Sequence, residues 1–260
     1  MTAQLKSHSV GRTLVLTLSN PEHRNALGPE IYSAGIEALN VAESNPDVMS
    51  VVLTGEGTHF SAGGNLNRLL ANRAQPPEHQ AQSIEGLHNW LETIRTFPKP
   101  VIAAVEGAAA GAGFSLALAC DFLVAAQDSV FVMAYSSVGL SPDGGGSWHL
   151  ARALPRALVS QILMLGDKLS APQLLQWGLA NQVSPKGEAL QEALALAERL
   201  NQRAPNALTS IKELIGAAAQ QDLFAQLPME KQHFVNNLHH PNAGIGIQAF
   251  LNKEAPRYKP

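Results

Sequence analysis

One cysteine among 260 residues excludes an internal disulfide, so nothing in the chain points to an oxidising compartment. That thiol, Cys120, lies in Leu116-Ala117-Leu118-Ala119-Cys120-Asp121 with no base beside it, and reads as a small buried hydrophobe rather than a nucleophile. Charge is scarce as well. Charged residues make up 15% of the chain, the net charge is −3 and no basic block occurs, which argues against nucleic acid as a partner. An uninterrupted apolar run of membrane-spanning length is missing too. The longest apolar stretch, Val101 to Cys120, is broken by Glu106, Gly107, Gly111 and Gly113, and reads as strand, loop and helix. The opening Met1-Thr2-Ala3-Gln4-Leu5-Lys6 has no signal-peptide core. The expectation is a cytoplasmic protein with no membrane partner.

What the chain does have is apolar content of 45%, enough for a sizeable core in one large domain. Thr13-Leu14-Val15-Leu16-Thr17-Leu18, Val51-Val52-Leu53-Thr54, Val101–Val105, Phe122–Ala126 and Val130–Val132 read as strands. Helical patterns stand between them: from Pro29 to Asn45, from Glu78 to Thr96, and from Gly113 to Ala119. Alternation of this kind predicts an α/β fold with right-handed crossovers. After Gly144 the pattern is helical in the ranges 145–153, 157–165, 171–177, 187–202, 205–219, 225–238 and 241–253, with prolines at most of the breaks. A core over 1–200 and a helical region over 201–260 is the expected division.

Three glycine-rich segments carry the chemistry. Phe60-Ser61-Ala62-Gly63-Gly64-Asn65-Leu66 and Gly107-Ala108-Ala109-Ala110-Gly111-Ala112-Gly113 can both bring bare backbone N–H groups close to a ligand, the second at the start of a helix. Two such donors suit a developing oxyanion. The third segment, Gly139-Leu140-Ser141-Pro142-Asp143-Gly144-Gly145-Gly146, carries a carboxylate able to move a proton, although an aspartate before a helix also fits an N-cap. His59, His79, His88 and His149 fall near these segments, but no pair has metal-ligand spacing, so no metal is expected. Gly113-Phe114-Ser115-Leu116-Ala117 lacks the last glycine of a nucleophile elbow.

These segments resemble signatures of the crotonase (enoyl-CoA hydratase/isomerase) superfamily. The 60–66 segment is similar to its first signature, and Lys99–Gly107 continuing to Cys120-Asp121 is similar to its second. Pro21-Glu22-His23-Arg24-Asn25-Ala26-Leu27 resembles an early segment that contacts coenzyme A, and Phe250-Leu251-Asn252-Lys253 resembles the C-terminal helix. The resemblance implies a spiral of ββα turns followed by helices that build homotrimers or dimers of trimers. It also implies a coenzyme A thioester as the substrate, with no further cofactor.

Carried over by position, Gly64 and Ala112 would supply the oxyanion donors. Arg24, Ala26, Ala62, Asn65, Leu66, Phe250 and Lys253 would meet coenzyme A, and Ser115, Tyr135, Trp90 and His88 would line the acyl pocket. Two-glutamate hydratases carry acids where this chain has Ser115 and Tyr135. Asp143 instead falls at the acid/base position of single-carboxylate enoyl-CoA isomerases, and its surroundings look most like isomerases of phenylacetate breakdown. The expected activity is therefore a double-bond shift in an unsaturated, ring-derived or linear acyl-CoA. A hydratase working without the usual glutamates, acyl-CoA hydrolysis, nucleophilic attack by Asp143, and an acyl-CoA-binding or structural subunit are the rivals.

Overall fold

The computed structural model describes residues 3–259. β1 (Gln4–Val10) and β2 (Thr13–Ser19) form an antiparallel hairpin through Gly11-Arg12, with Gly11 at φ 56°. Pattern reading finds β2 and misses β1. As the edge of the sheet, β1 is mostly exposed and keeps a polar sequence without apolar alternation. α1 (Pro29–Ser44) starts with Pro29 in its first turn and buries Ile31, Tyr32, Gly35, Leu39 and Ala42. β3 (Ser50–Gly55) follows, then the short α2 (Leu66–Asn72), which Asn65 caps by accepting from the Asn67 and Arg68 N–H groups.

α3 (Pro77–Thr96) leads into β4 (Val101–Val105), β5 (Ala108–Ala110) and α4 (Ala112–Ala119). β6 (Phe122–Ala126) and β7 (Val130–Val132) repeat the strand pair, and α5 (Gly146–Ala153) and α6 (Arg156–Ser160) follow. The chain then passes through a π-helical turn at Gln161–Leu165, β8 (Leu169–Ser170), α7 (Ala171–Gln176) and β9 (Gln182–Ser184). The helices α8 (Ala189–Asn201), α9 (Pro205–Ala218), α10 (Leu223–Leu238) and α11 (Pro241–Asn252) complete it.

The larger sheet has the order β1-β2-β3-β4-β6-β9 and is parallel apart from its first pair; the smaller has the order β5-β7-β8. β4 and β6 lie in one sheet and their successors β5 and β7 in the other, each pair being followed by helix, so the chain winds as ββα turns. Strand period two divides the core. Leu16, Leu18, Val51, Leu53, Ala103 and Val105 face the main cluster. Val15, Val52, Ile102, Ala104 and Val124 face α8, against Ala193 and Ala197. With both faces covered, the central strands read as unbroken apolar runs.

α9 is tied to this body through Lys212, whose ammonium donates to Asp121 Oδ2 at 2.7 Å and to the Ile94 carbonyl at 3.0 Å. Burial raises the Asp121 pKa, while Lys212 and the Val101 N–H act against that rise. α10 packs on α9 and α11, yet Phe224 and Phe250 are 85% and 84% exposed. Among the described residues, no helix is long and apolar enough to cross a membrane.

Candidate active site

Asn25 holds the first donor turn in place. It is fully buried with φ 55°, and its side chain satisfies three backbone groups. Oδ1 accepts from the Asn20 N–H at 2.9 Å, while Nδ2 donates to the Glu56 and His59 carbonyls at 2.9 and 2.7 Å. Its own carbonyl accepts from Ser61 Oγ at 2.8 Å. Asn25→Ala strands these groups and puts a Cβ without a local hydrogen bond at positive φ, so it should cost roughly 3 kcal/mol or more in urea unfolding. A loss below ~1 kcal/mol would remove Asn25 from this role.

The two donor turns touch. Ser61 forms a parallel bridge with Ala109, and Leu27 forms one with Gly64. Gly63 has φ 81°, and a Cβ there would lie 2.5 Å from the Ala110 carbonyl oxygen, so only glycine admits this approach. Gly64 meets no such wall: a Cβ would find only Leu69 Cδ1, at 3.7 Å. Ala112 is the first residue of α4, after Gly111 at φ 50°. Its N–H is one that an α-helix leaves without an internal acceptor. Among the described residues, neither the Gly64 nor the Ala112 N–H has a backbone or side-chain acceptor outside regular helix and strand bonding.

Asp143 is not a helix cap. α5 begins after Gly145, which has φ 75°, and no side chain caps it. The carboxylate turns instead to Tyr135, whose Oη donates to Asp143 Oδ1 at 2.6 Å. Burial, followed by the Asp143 charge, pushes the Tyr135 phenol well above its ordinary pKa, so it remains a donor across the working range. His88 Nε2 lies 2.5 Å from the Asp143 carbonyl oxygen and anchors the loop to α3. Gly144 and Gly146 leave room for packed neighbours. A Cβ on Gly144 would lie 3.0 Å from Ser115 Cβ, and one on Gly146 would lie 2.6 Å from Met133 Cε.

All three segments open on one cavity of about 1050 Å³. Its wall includes Gly64, Ala112, Tyr135, Asp143 and His88, together with Ala62 and Leu66 at the first turn. One face of α3, with Ile84, His88, Leu91 and Arg95 at helical spacing, forms a side. α5 contributes Trp148 and His149. Burial and the charges of Arg95 and Arg152 push the His149 pKa down to about 4, so its imidazole is neutral near pH 7.

Two residues expected at the pocket lie behind it. Trp90 is fully buried on the core side of α3, beside Tyr32; its indole fills the space that Gly35 leaves open on α1, where a Cβ would lie 2.2 Å from Nε1. Ser115 is also fully buried. Its Oγ donates to the Gly111 carbonyl one turn earlier at 3.3 Å, leaving a satisfied helix hydroxyl rather than a nucleophile.

Of the residues expected to meet coenzyme A, Arg24 is exposed and its carbonyl accepts from the Ala62 N–H at 2.9 Å, which sets it near the mouth. Ala26 is buried, and Asn65 is occupied as the α2 cap. Phe250 and Lys253, at the end of α11, are exposed and do not reach the cavity within one chain. Arg95 and His149 are cavity residues that the motifs do not mark. The 84/88/91/95 spacing was the available signal for Arg95, but it overlaps the 87/90/91/94 stripe that packs into the core, and His149 had only its nearness to the third glycine segment.

Comparison with known proteins gives concordant matches. A model described as enoyl-CoA hydratase/isomerase matches residues 10–260. A 1,2-epoxyphenylacetyl-CoA isomerase of Escherichia coli K12 is 36% identical, with 97% of each chain covered. A carnitinyl-CoA dehydratase of Salmonella typhi is 34% identical over 96% of this chain and 95% of its own. Among solved structures, an enoyl-CoA hydratase from Polaromonas sp. JS666 superposes with a TM-score of 0.98 at 68% identity, covering 98% of this chain and all of that one. An enoyl-CoA hydratase from Bacillus anthracis gives 0.92 at 27% identity, covering 100% and 99%. The architecture is that of the crotonase fold.

Proposed function

This chain belongs to the enoyl-CoA hydratase/isomerase family, and we propose that within it the protein shifts a carbon–carbon double bond in an unsaturated acyl-CoA. One observation carries the reading: a single oriented carboxylate, Asp143, lines the same cavity as two adjacent backbone donors, Gly64 and Ala112. The donors would take the thioester carbonyl oxygen, which acidifies the protons on C2. Asp143 would remove one of these, and the electron pair would spread over the dienolate from oxygen to C4. The same carboxyl group would then return the proton to C4, leaving the double bond between C2 and C3. Tyr135 occupies one carboxylate oxygen and leaves the other for the substrate.

Hydration needs a further base to activate water. Among the described residues, Glu92 is the other carboxylate on the cavity wall. It is exposed, one turn along α3 from His88, and among the described residues no hydrogen bond aims its side chain. The relative named as an isomerase, whose named substrate carries a ring-derived acyl group, favours this choice, while the relative named as a dehydratase favours the hydratase rival. Coenzyme A would enter as part of the substrate, and no metal or redox cofactor takes part in this scheme.

The test is to incubate the protein with a 3-enoyl-CoA in D₂O and follow it by NMR. Double-bond migration is the expected result, with deuterium entering C4 in proportion to exchange of the Asp143 proton with solvent before its return. A 3-hydroxyacyl product would replace the reading by hydration, and free coenzyme A would replace it by hydrolysis. Binding without turnover would favour a carrier.

The exposed Phe224, Phe234 and Phe250 would be covered in a homo-oligomer. Sedimentation should therefore give a multiple of the 27.6 kDa chain, and a monomer at micromolar concentration would refute this.

A further inference from the structure

The α3 face of the cavity ends in an arginine with no acid to pair with. Arg95 lies on the wall seven residues beyond His88, and a rise of 1.5 Å per residue puts it about 10 Å farther along the helix axis. Its guanidinium carbon sits 4.7 Å from the centroid of the Trp148 ring, which Arg152 approaches to 4.0 Å. Among the described residues, Arg95 has no hydrogen bond or ion pair. Asp121 feels its charge, but that carboxylate is bonded to Lys212 and to the Val101 N–H. Glu92, one turn earlier on the rim, makes no ion pair with it.

A cation in the last turn of a helix complements the helix dipole wherever it points. The dipole does not explain why this one lies on an indole inside a mainly apolar cavity, where desolvation of an unpaired charge is unfavourable. Apart from Glu92 on the rim, the groups around this ring are receptive to negative charge. Arg152 adds a second cation at the same ring, His149 is kept neutral partly by these two arginines, and Gln220 stands on the wall with no side-chain hydrogen bond among the described residues.

We propose that this end of the cavity binds a carboxylate at the far end of the acyl group, with Arg95 as the specificity-determining residue. The substrate class is then the coenzyme A thioester of an unsaturated dicarboxylic acid. Trp148 holds the guanidinium in place, the apolar wall of Ile84 and Leu91 takes the connecting carbons, and Arg95 supplies a charge-assisted, two-point hydrogen bond that a neutral tail cannot use. This inference rests on reading the cavity as an acyl-CoA site, but not on which reaction occurs there.

The test compares saturated pairs of matched length, adipoyl-CoA with hexanoyl-CoA and suberoyl-CoA with octanoyl-CoA, by calorimetric titration of the full chain. In one of the pairs the dicarboxylic thioester should bind at least about tenfold tighter, the scale of one charge-assisted pair. Arg95→Gln should abolish that ratio by weakening the dicarboxylic thioester far more than the monocarboxylic one; Arg95→Lys should keep part of it. Equal affinities in both pairs for the unaltered protein would overturn the proposal. So would an equal loss for both members of a pair in Arg95→Gln, since that reports a structural role. Saturated thioesters need no double-bond shift, so failure of the isomerase reading would leave the affinity ratio standing, and a missing ratio would leave the isomerase reading standing.

Discussion

Asp143→Asn should lower double-bond migration by about 10²–10⁴-fold, the usual range for loss of a positioned acid/base. The substitution is chosen to preserve everything else. Asparagine has the same shape, and its amide oxygen can still accept from Tyr135 Oη where Asp143 Oδ1 now does, at 2.6 Å. The backbone contact between His88 and the Asp143 carbonyl is untouched. Stability and the affinity for a saturated acyl-CoA should therefore stay within a factor of about two, a free-energy change below ~0.5 kcal/mol. Deuterium uptake at C2 should fall with migration, because both depend on the same proton transfer. Migration at the original rate would move the base to another group on the wall, with the His88 imidazole and the Glu92 carboxylate next to be replaced.

The reach of sequence reasoning here follows from what produces pattern. Strands buried on both faces, such as Val51-Val52-Leu53 and Val101–Val105, leave apolar runs that can be read directly, and prolines mark helix starts at Pro29, Pro205 and Pro241. The elements that stay silent have weak or shared signals. β1 is a polar edge, β5, β8 and β9 are two or three residues long, and α2 is held by an Asn65 cap inside a segment that otherwise reads as loop.

The same distinction applies to the site. Gly64, Ala112 and Asp143 stand in motifs, and the structure places all three on one cavity. Trp90 and Ser115 were expected at the pocket, yet both are buried behind it. A helix carrying both a cavity face and a core face offers no local signal of which residue turns which way. Asn25 is legible only as part of a motif. Its work in joining Asn20, Glu56 and His59 joins segments that lie more than thirty residues apart in the chain. The tyrosine donor to Asp143 is eight residues away in sequence, on a turn whose pairing depends on the whole spiral.

Ala112→Pro should cost about 10²–10³-fold in kcat, or roughly 3–4 kcal/mol of barrier, while leaving the protein folded. Ala112 is the first residue of α4, after the non-helical Gly111, and proline is well tolerated there because it removes only an N–H that the helix never uses. The same replacement in the helix interior would cost about 3 kcal/mol in stability. The lost N–H is the one proposed to grip the enolate oxygen, where negative charge develops. The proline Cδ also stands where the thioester oxygen would approach that nitrogen, so KM should rise as well, and the loss is read in kcat and kcat/KM together. Thermal unfolding and circular dichroism on the same preparation separate the two causes of a loss. A large fall in kcat with an unchanged melting temperature locates one donor at the start of α4. Turnover that survives the proline would place the oxyanion site elsewhere, because no other change at this position removes the N–H while keeping the helix start.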